Sequence, residues 1–170
     1  MIDENAFTLS DAKKDEICGH LTPRQKQRAM TWMKLQETLN QGDFIAMDDF
    51  FDPDFTYGNP SRPDLGSYAS WKPSPVALYK TFPPSLYRTL AVTAHGDDEI
   101  WVYCHHAGTQ TGGNYMGIAP NGQEINVQWF SIVNFRGSKI LRIFSIADVL
   151  GMFISVGVID PKMLPVDPYK

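Results

Sequence analysis

A carboxylate, a phenol–amide pair and two adjacent imidazoles are the groups in this chain best suited to chemistry. Asp148 closes an apolar run, Ile140 to Ala147, in which Arg142 is the only charged residue. A carboxylate at the end of such a run lies near low-dielectric surface, where desolvation lets it carry a proton. A helical pattern begins at the same residue, so capping is the alternative role, and the two are not exclusive. Tyr57 and Asn59 lie two apart on an extended piece and share one face. Together they can hold an enolate oxygen, a carbonyl or a water, although Gly58-Asn59-Pro60 is also ordinary turn chemistry. His105 and His106 are adjacent, and adjacent strand residues face opposite ways. They cannot share one metal ion, and no acidic partner stands at ligand spacing. Alternation groups His106 with Val102 and Cys104, and His105 with Trp101 and Tyr103. One of the two, with His106 the candidate, serves as a second acid/base group if it faces a pocket; the alternative is one surface and one interior histidine. Trp101, Tyr115, Trp129 and Phe144 are pocket wall if a cavity exists and plain core otherwise. Phe144, Ile146 and Asp148 share a parity, which puts Phe144 in the acid's space.

The elements that must position these groups are legible in part. Residues 1–20 carry no clear period and read as an arm, of a length that can pack on a neighbouring subunit. Thr22-Pro23 starts a helix whose apolar stripe is Ala29, Met30, Trp32, Met33, Leu35 and Leu39. Asp43 caps a short second helix through Phe51, and Asp52-Pro53-Asp54 breaks the chain. Phe55 to Tyr57 is extended. Residues 58–75 form a long Pro-, Gly- and Ser-rich loop, a length typical of lids and binding loops. A helix spans Pro75 to Phe82, before Pro83-Pro84. Strands follow at Tyr87 to Ala94 and Glu99 to His106, joined by a turn at His95-Gly96-Asp97-Asp98. Residues 107–122 hold five glycines, which suit bulges or a loop over a pocket mouth. Ile125, Val127, Trp129, Val133 and Phe135 mark the next strand, Gly137 the hairpin break, and Ile140 to Ala147 the last strand. A short helix runs from Asp148 to Val156, and a Pro-rich tail covers 161–170.

Helices first, then a meander of antiparallel strands, then a short helix define an α+β fold. A curved antiparallel sheet wrapped on the N-terminal helices makes a cone with an internal pocket. At 170 residues and 43% apolar this is one domain, 1–170. The net charge of −4 gives no basic footprint for nucleic acid. No apolar run approaches the ~20 residues of a membrane helix. The N-terminus lacks the features of a secretory signal, and Cys18 and Cys104 are too few for a disulfide framework. The expectation is a cytoplasmic protein with two free thiols.

Four stretches resemble the SnoaL-like polyketide cyclases, within the nuclear-transport-factor-2-like, cystatin-like α+β barrel superfamily. The first is Asn40-Gln41-Gly42-Asp43 with Phe51-Asp52-Pro53-Asp54-Phe55 and Tyr57-Gly58-Asn59-Pro60. The second is Phe82-Pro83-Pro84. The third is Gly108-Thr109-Gln110-Thr111-Gly112 with Met116-Gly117-Ile118-Ala119-Pro120-Asn121-Gly122. The fourth is Asp148-Val149-Leu150-Gly151-Met152 with Val156-Gly157-Val158. The likeness covers roughly residues 28 to 160. It implies a deep apolar pocket, an apolar or aromatic small-molecule substrate, a homodimer or homotetramer, and acid/base chemistry without a metal or redox cofactor. It implies that Asp148 abstracts and returns protons in an intramolecular aldol closure, and that Asn59 helps to hold the substrate. Two departures stand out. Gln110 replaces the family's His in Gly-Thr-His-Thr-Gly, which makes it a substrate-binding candidate by alignment. Arg142-Ile143-Phe144 replaces Glu-His-Trp. The expectation is a cyclase, isomerase or dehydratase (lyase), with a non-catalytic ligand-binding member of the fold, or a purely structural module, as the alternatives.

Overall fold

The computed structural model describes residues 2–164; the tail expected over 161–170 lies mostly outside them. The chain builds helices α1 (Asp11–Cys18) and α2 (Pro23–Asn40), then strand β1 (Phe51–Gly58). Short helices α3 (Tyr68–Trp71) and α4 (Pro73–Thr81) follow. Strands β2 (Leu86–Ala94), β3 (Glu99–Thr109), β4 (Glu124–Arg136) and β5 (Lys139–Ala147) come next, and helix α5 (Val149–Ser155) after them.

The start of α2 is fixed by its sequence. The Thr22 side chain accepts from the Gln25 amide, and the Gln25 side chain accepts from the Thr22 amide, at 3.4 and 3.0 Å. This reciprocal box satisfies two of the first-turn donors. The helix buries Ala29, Trp32, Met33, Leu35, Gln36 and Leu39 and packs against β2 and β3. Arg24 and Arg28 both reach Asp98 in the β2–β3 turn, at 2.8 and 2.7 Å, and so pin the helix start to that end of the sheet.

The sheet order is β1-β5-β4-β3-β2. The α+β class expected from the sequence holds, as an open five-stranded sheet. Four strands form the antiparallel meander, but β1 joins β5 in parallel. Asp52-Pro53-Asp54 does not break the chain as expected; it lies inside β1. As the sheet's edge strand, β1 admits a proline with no hydrogen to donate. The helix expected after Asp43 is a short 3-10 turn, Ala46–Phe50, with Asp43 bonding the Ala46 amide at 2.9 Å. The N-terminal arm does not extend away. It forms a 3-10 turn, Glu4–Phe7, and helix α1, and both pack on the chain's own β2.

Two apolar clusters fill the concave side. The larger joins α2 residues to Phe51, Phe55, Ile100, Val102, Cys104, Val133, Phe135, Ile140 and Ile143. The smaller joins Phe82, Ile125, Val127, Met152 and Val156, so it is built from the end of α4, the start of β4 and α5. Cys18 and Cys104 are buried free thiols.

Candidate functional site

The boundary between the two clusters is where polar side chains enter the interior. Going along β4, Val127 belongs to the smaller cluster, while Trp129 packs on the larger. Cross-strand register puts His106 opposite Val127, Cys104 opposite Trp129, and Ala147 on the other side of Trp129. The seam therefore passes through His106, Trp129 and Ala147 and continues to β2, where Tyr87 is opposite His106. The imidazole and phenol rings are stacked, 4.2 Å apart and 3° from parallel, and Trp129 meets Tyr87 edge-on at 5.8 Å. Ser85 Oγ lies 2.7 Å from His106 Nε2. Below this layer Ser131 and Ser145 bond each other across β4 and β5 at 2.7 Å, both buried. Deeper still, Gln36 donates to Cys104 Sγ at 3.3 Å and accepts from Thr89 at 2.8 Å.

Burial sets the protonation of these groups. His106 is pushed down to about 3, first by burial and then by its neighbour His105, so it is neutral at physiological pH. Burial pushes the Tyr87 phenol up to about 12 and the Cys104 thiol likewise to about 12. The seam is thus a layer of uncharged hydrogen-bonding groups between apolar walls.

The other expected site residues fall into two groups. Tyr57 pairs with Ile143 and packs on the larger cluster, with Trp71 at 6.0 Å. Asn59 donates to the Tyr57 hydroxyl at 3.2 Å, while its carbonyl accepts from the Ser61 amide at 2.8 Å. The turn role and the paired role therefore coexist in Asn59. Tyr115 covers the smaller cluster, 5.1 Å from Phe82 and 6.3 Å from Phe153. Gln110 is fully buried and donates to the carbonyls of Ile118 and Ala119 at 3.0 and 3.4 Å, tying down the loop before β4; its Oε1 has no partner among the described residues.

Three expectations are corrected. Trp101 is not interior wall: it stands on the outer face, 39% exposed. Phe144 shares that face, because it is opposite Ile132, which is opposite Trp101; a side chain at Gly58 would collide with its ring at 2.9 Å. The parity that groups Phe144 with Asp148 is therefore the outward one. Asp148 itself is exposed and caps α5, its Oδ1 accepting from the Gly151 amide at 2.8 Å. No hydrogen bond joins it to Tyr57, Asn59 or His106. A side chain at Gly151 would fall 2.2 Å from Asp148 Oδ2, so this cap needs the glycine. The histidines divide as strand alternation requires: His106 faces inward. His105 lies under Phe7 of the arm at 4.8 Å and contacts Asn126.

Sequence reasoning missed Ser85, Tyr87, Ser131 and Ser145. Alternation from Trp129 to Val133 carries Ser131 inward, so that one was readable. Ser85 was hidden in the turn after Pro83-Pro84. Among the described residues no group of three or more His, Cys, Asp or Glu could hold a metal ion, and no helix is long and apolar enough to cross a membrane. A surface hollow of about 610 Å³ lies at the opposite end of the strands, lined by His95, Glu99, Asn134, Arg136 and Arg142 among others. Its charges are largely engaged already, Arg136 with Asp52 and Asp54 and Glu99 with Trp101 and Asn134. The seam, with its buried imidazole and serines, has the better chemistry.

The same architecture recurs in solved structures. AclR, a hydroxylase candidate from Streptomyces galilaeus, superposes with a TM-score of 0.72 at 16% identity, over 79% of this chain and 98% of that one. A SnoaL-like polyketide cyclase candidate from Jannaschia gives 0.70 at 18% identity, over 81% and 96%. IdmH, a polyketide cyclase candidate from Streptomyces antibioticus, gives 0.68 at 21%, over 77% and 99%. At these identities the likeness speaks for the fold. No curated protein sequence matches the chain. The family pattern matches residues 29–154, from within α2 almost to the end of α5, and the chain belongs to the SnoaL-like polyketide cyclase family.

Proposed function

We propose that this protein is an acid/base catalyst acting on an apolar carbonyl compound with its own side chains alone, in an aldol-type ring closure or a related isomerisation or dehydration. The observation that carries the reading is the seam, where neutral donors and acceptors are held between two apolar clusters. Such a layer binds the oxygens of an otherwise apolar, flat molecule and orients it by its rings. Asp148 takes the carbon-bound proton through Oδ2, the oxygen not used in the cap, and the Tyr57–Asn59 pair holds a substrate oxygen.

A second reading has an observation of its own. Asp148 is exposed and already employed as a cap, which favours a member that binds an apolar ligand without reacting it. One experiment separates the two. The protein is incubated with 2-acetylnaphthalene in D₂O. Exchange of the α-protons is followed by NMR, and binding by tryptophan fluorescence. Catalysis predicts exchange above the buffer rate, lost in Asp148→Asn with binding kept. Binding without exchange supports the second reading, and neither effect removes the ketone as the substrate class.

A second copy of the chain is the proposed macromolecular partner. Trp101, Ile132 and Phe144 form one row across β3, β4 and β5, and Tyr103, Phe130 and Ile146 the next. These six side chains make an uncharged block on the outer face, with Trp101, Tyr103 and Ile146 substantially exposed. Exposed apolar blocks of this kind mark association surfaces.

A further inference from the structure

We propose that Tyr87 is the group that donates a hydrogen bond to a substrate oxygen in this site, its hydroxyl aimed by a relay from His106 through Ser85. The proposal rests on the carbonyl-substrate reading above and assigns a role within it.

The direction of the relay follows from counting hydrogens. Ser85 Oγ is 2.7 Å from His106 Nε2, and at a longer 3.4 Å it donates to the Tyr87 hydroxyl oxygen. A serine hydroxyl has one hydrogen to give. With that hydrogen on Tyr87, Ser85 must accept from an Nε2–H of His106. The Tyr87 oxygen is then an acceptor toward Ser85, and its own hydrogen is free to point away from the relay.

The residue is held at its backbone and at its ring. The Asn40 side chain, at the end of α2, accepts from the Tyr87 amide at 2.7 Å and donates to its carbonyl at 2.9 Å. His106 stacks on one face of the ring, and Trp129 meets it edge-on. Of the three residues of the relay, Tyr87 is the least covered. Ser85 and His106 are buried, at 0% and 4%, whereas Tyr87 keeps part of its surface accessible. Burial keeps the phenol protonated and the imidazole neutral. Tyr87 can therefore stabilise charge growing on a carbonyl oxygen when a proton leaves the adjacent carbon, and no bond to Tyr87 is made or broken. His106 and Ser85 act through Tyr87 and are positioning residues.

Two measurements on the full chain test this. In the first, ¹⁵N NMR of histidine-labelled protein reads the tautomer of His106, assigned by its loss in His106→Gln. The relay requires the Nε2–H tautomer, unchanged from pH 8 to 5, and a mixture of tautomers in Ser85→Ala. An Nδ1–H tautomer in the unaltered protein overturns the relay, and this arm needs no ligand. In the second, 2-acetylnaphthalene labelled with ¹³C at the carbonyl is bound to the protein. Its carbonyl resonance moves downfield on binding. Tyr87→Phe abolishes the shift and weakens binding about tenfold, the equivalent of one hydrogen bond, and Ser85→Ala reduces the shift. Equal shifts in the unaltered protein and Tyr87→Phe overturn this proposal alone. A protein that binds no aryl ketone overturns both the proposal and the reading beneath it.

Discussion

At the scale of single residues, Asp148 combines a structural duty with a proposed chemical one, and substitution can part them. Removing the cap leaves the Gly151 amide without its acceptor. Asp148→Ala should therefore lower unfolding free energy by about 1 kcal/mol in urea titration. Asparagine caps as well as aspartate but is no base. Asp148→Asn should keep the stability and lose any proton abstraction. Equal stability of the alanine and unaltered proteins would remove the cap from the account. His106 gives a second prediction. Its folded value is depressed from 6.5 to about 3, so the folded state resists a proton that the unfolded chain accepts. Above 6.5 both states are neutral, and stability is at its full value. As pH falls below 6.5 the unfolded chain gains the proton first, and stability declines toward about 3. Ordinary carboxylates titrate lower, so the interval from pH 7 to 5 isolates the histidines. His106→Gln should flatten the decline of urea midpoints across it, and an unchanged slope would mean that His106 is charged or exposed in the native state.

At the scale of elements, close backbone approach holds the end of β3 to the end of α4. A Cβ at Gly108 would lie 2.3 Å from the Phe82 carbonyl oxygen, and one at Gly112 only 1.7 Å from that of Lys80. Neither obstacle is a side-chain tip that can swing away. Gly112→Ala should destabilise by roughly 1–3 kcal/mol through forced displacement, read as a lower melting temperature. It should also loosen the Gly112 amide's bond to the Thr81 carbonyl, 3.1 Å. An unchanged melting temperature would mean that the two segments separate freely. The glycines of this stretch were visible in the sequence, but their partners were not, because no local pattern records which backbone arrives from 26 or 32 residues earlier in the chain. Strand alternation was more informative. It separated His105 from His106 and placed the Ile125-to-Phe135 set on one face. It could not give that face its sign in β5, where residues of both parities are apolar, and Phe144 was assigned inward when it faces out. The parallel joining of β1 was equally invisible, since Pro53 argues against a strand until the edge position is known. Of the seam, His106 and Trp129 were legible as side chains with the right chemistry, as was the separate Tyr57–Asn59 pair. Tyr87 and Ser85 acquire meaning only when β2 is laid beside β3.

At the scale of the whole molecule, the sheet has two faces with different coverings. The concave face is closed by α2, α4 and α5. On the outer face the arm covers one corner, where Phe7 packs with Leu86 and Ala107 and Arg88 stands over its ring at 5.1 Å. The block of Trp101, Tyr103, Phe130, Ile132, Phe144 and Ile146 lies beyond that corner, three strands wide with β4 in the middle. A block centred on one strand can meet a copy of itself across a two-fold axis, each side supplying the same residues. The apolar area so removed from water would contribute ~25 cal/mol per Å² before the costs of association. Isolated charges on this face should therefore act far more strongly on association than on folding. Tyr103→Glu with Ile146→Lys should shift sedimentation equilibrium from dimer to monomer while the circular dichroism spectrum stays unchanged. Ketone binding in the seam should survive in that monomer, because none of its groups comes from the outer face. A chain already monomeric at tens of micromolar would leave the outer block without the proposed partner, and loss of ketone binding in the monomer would mean that association supports the seam.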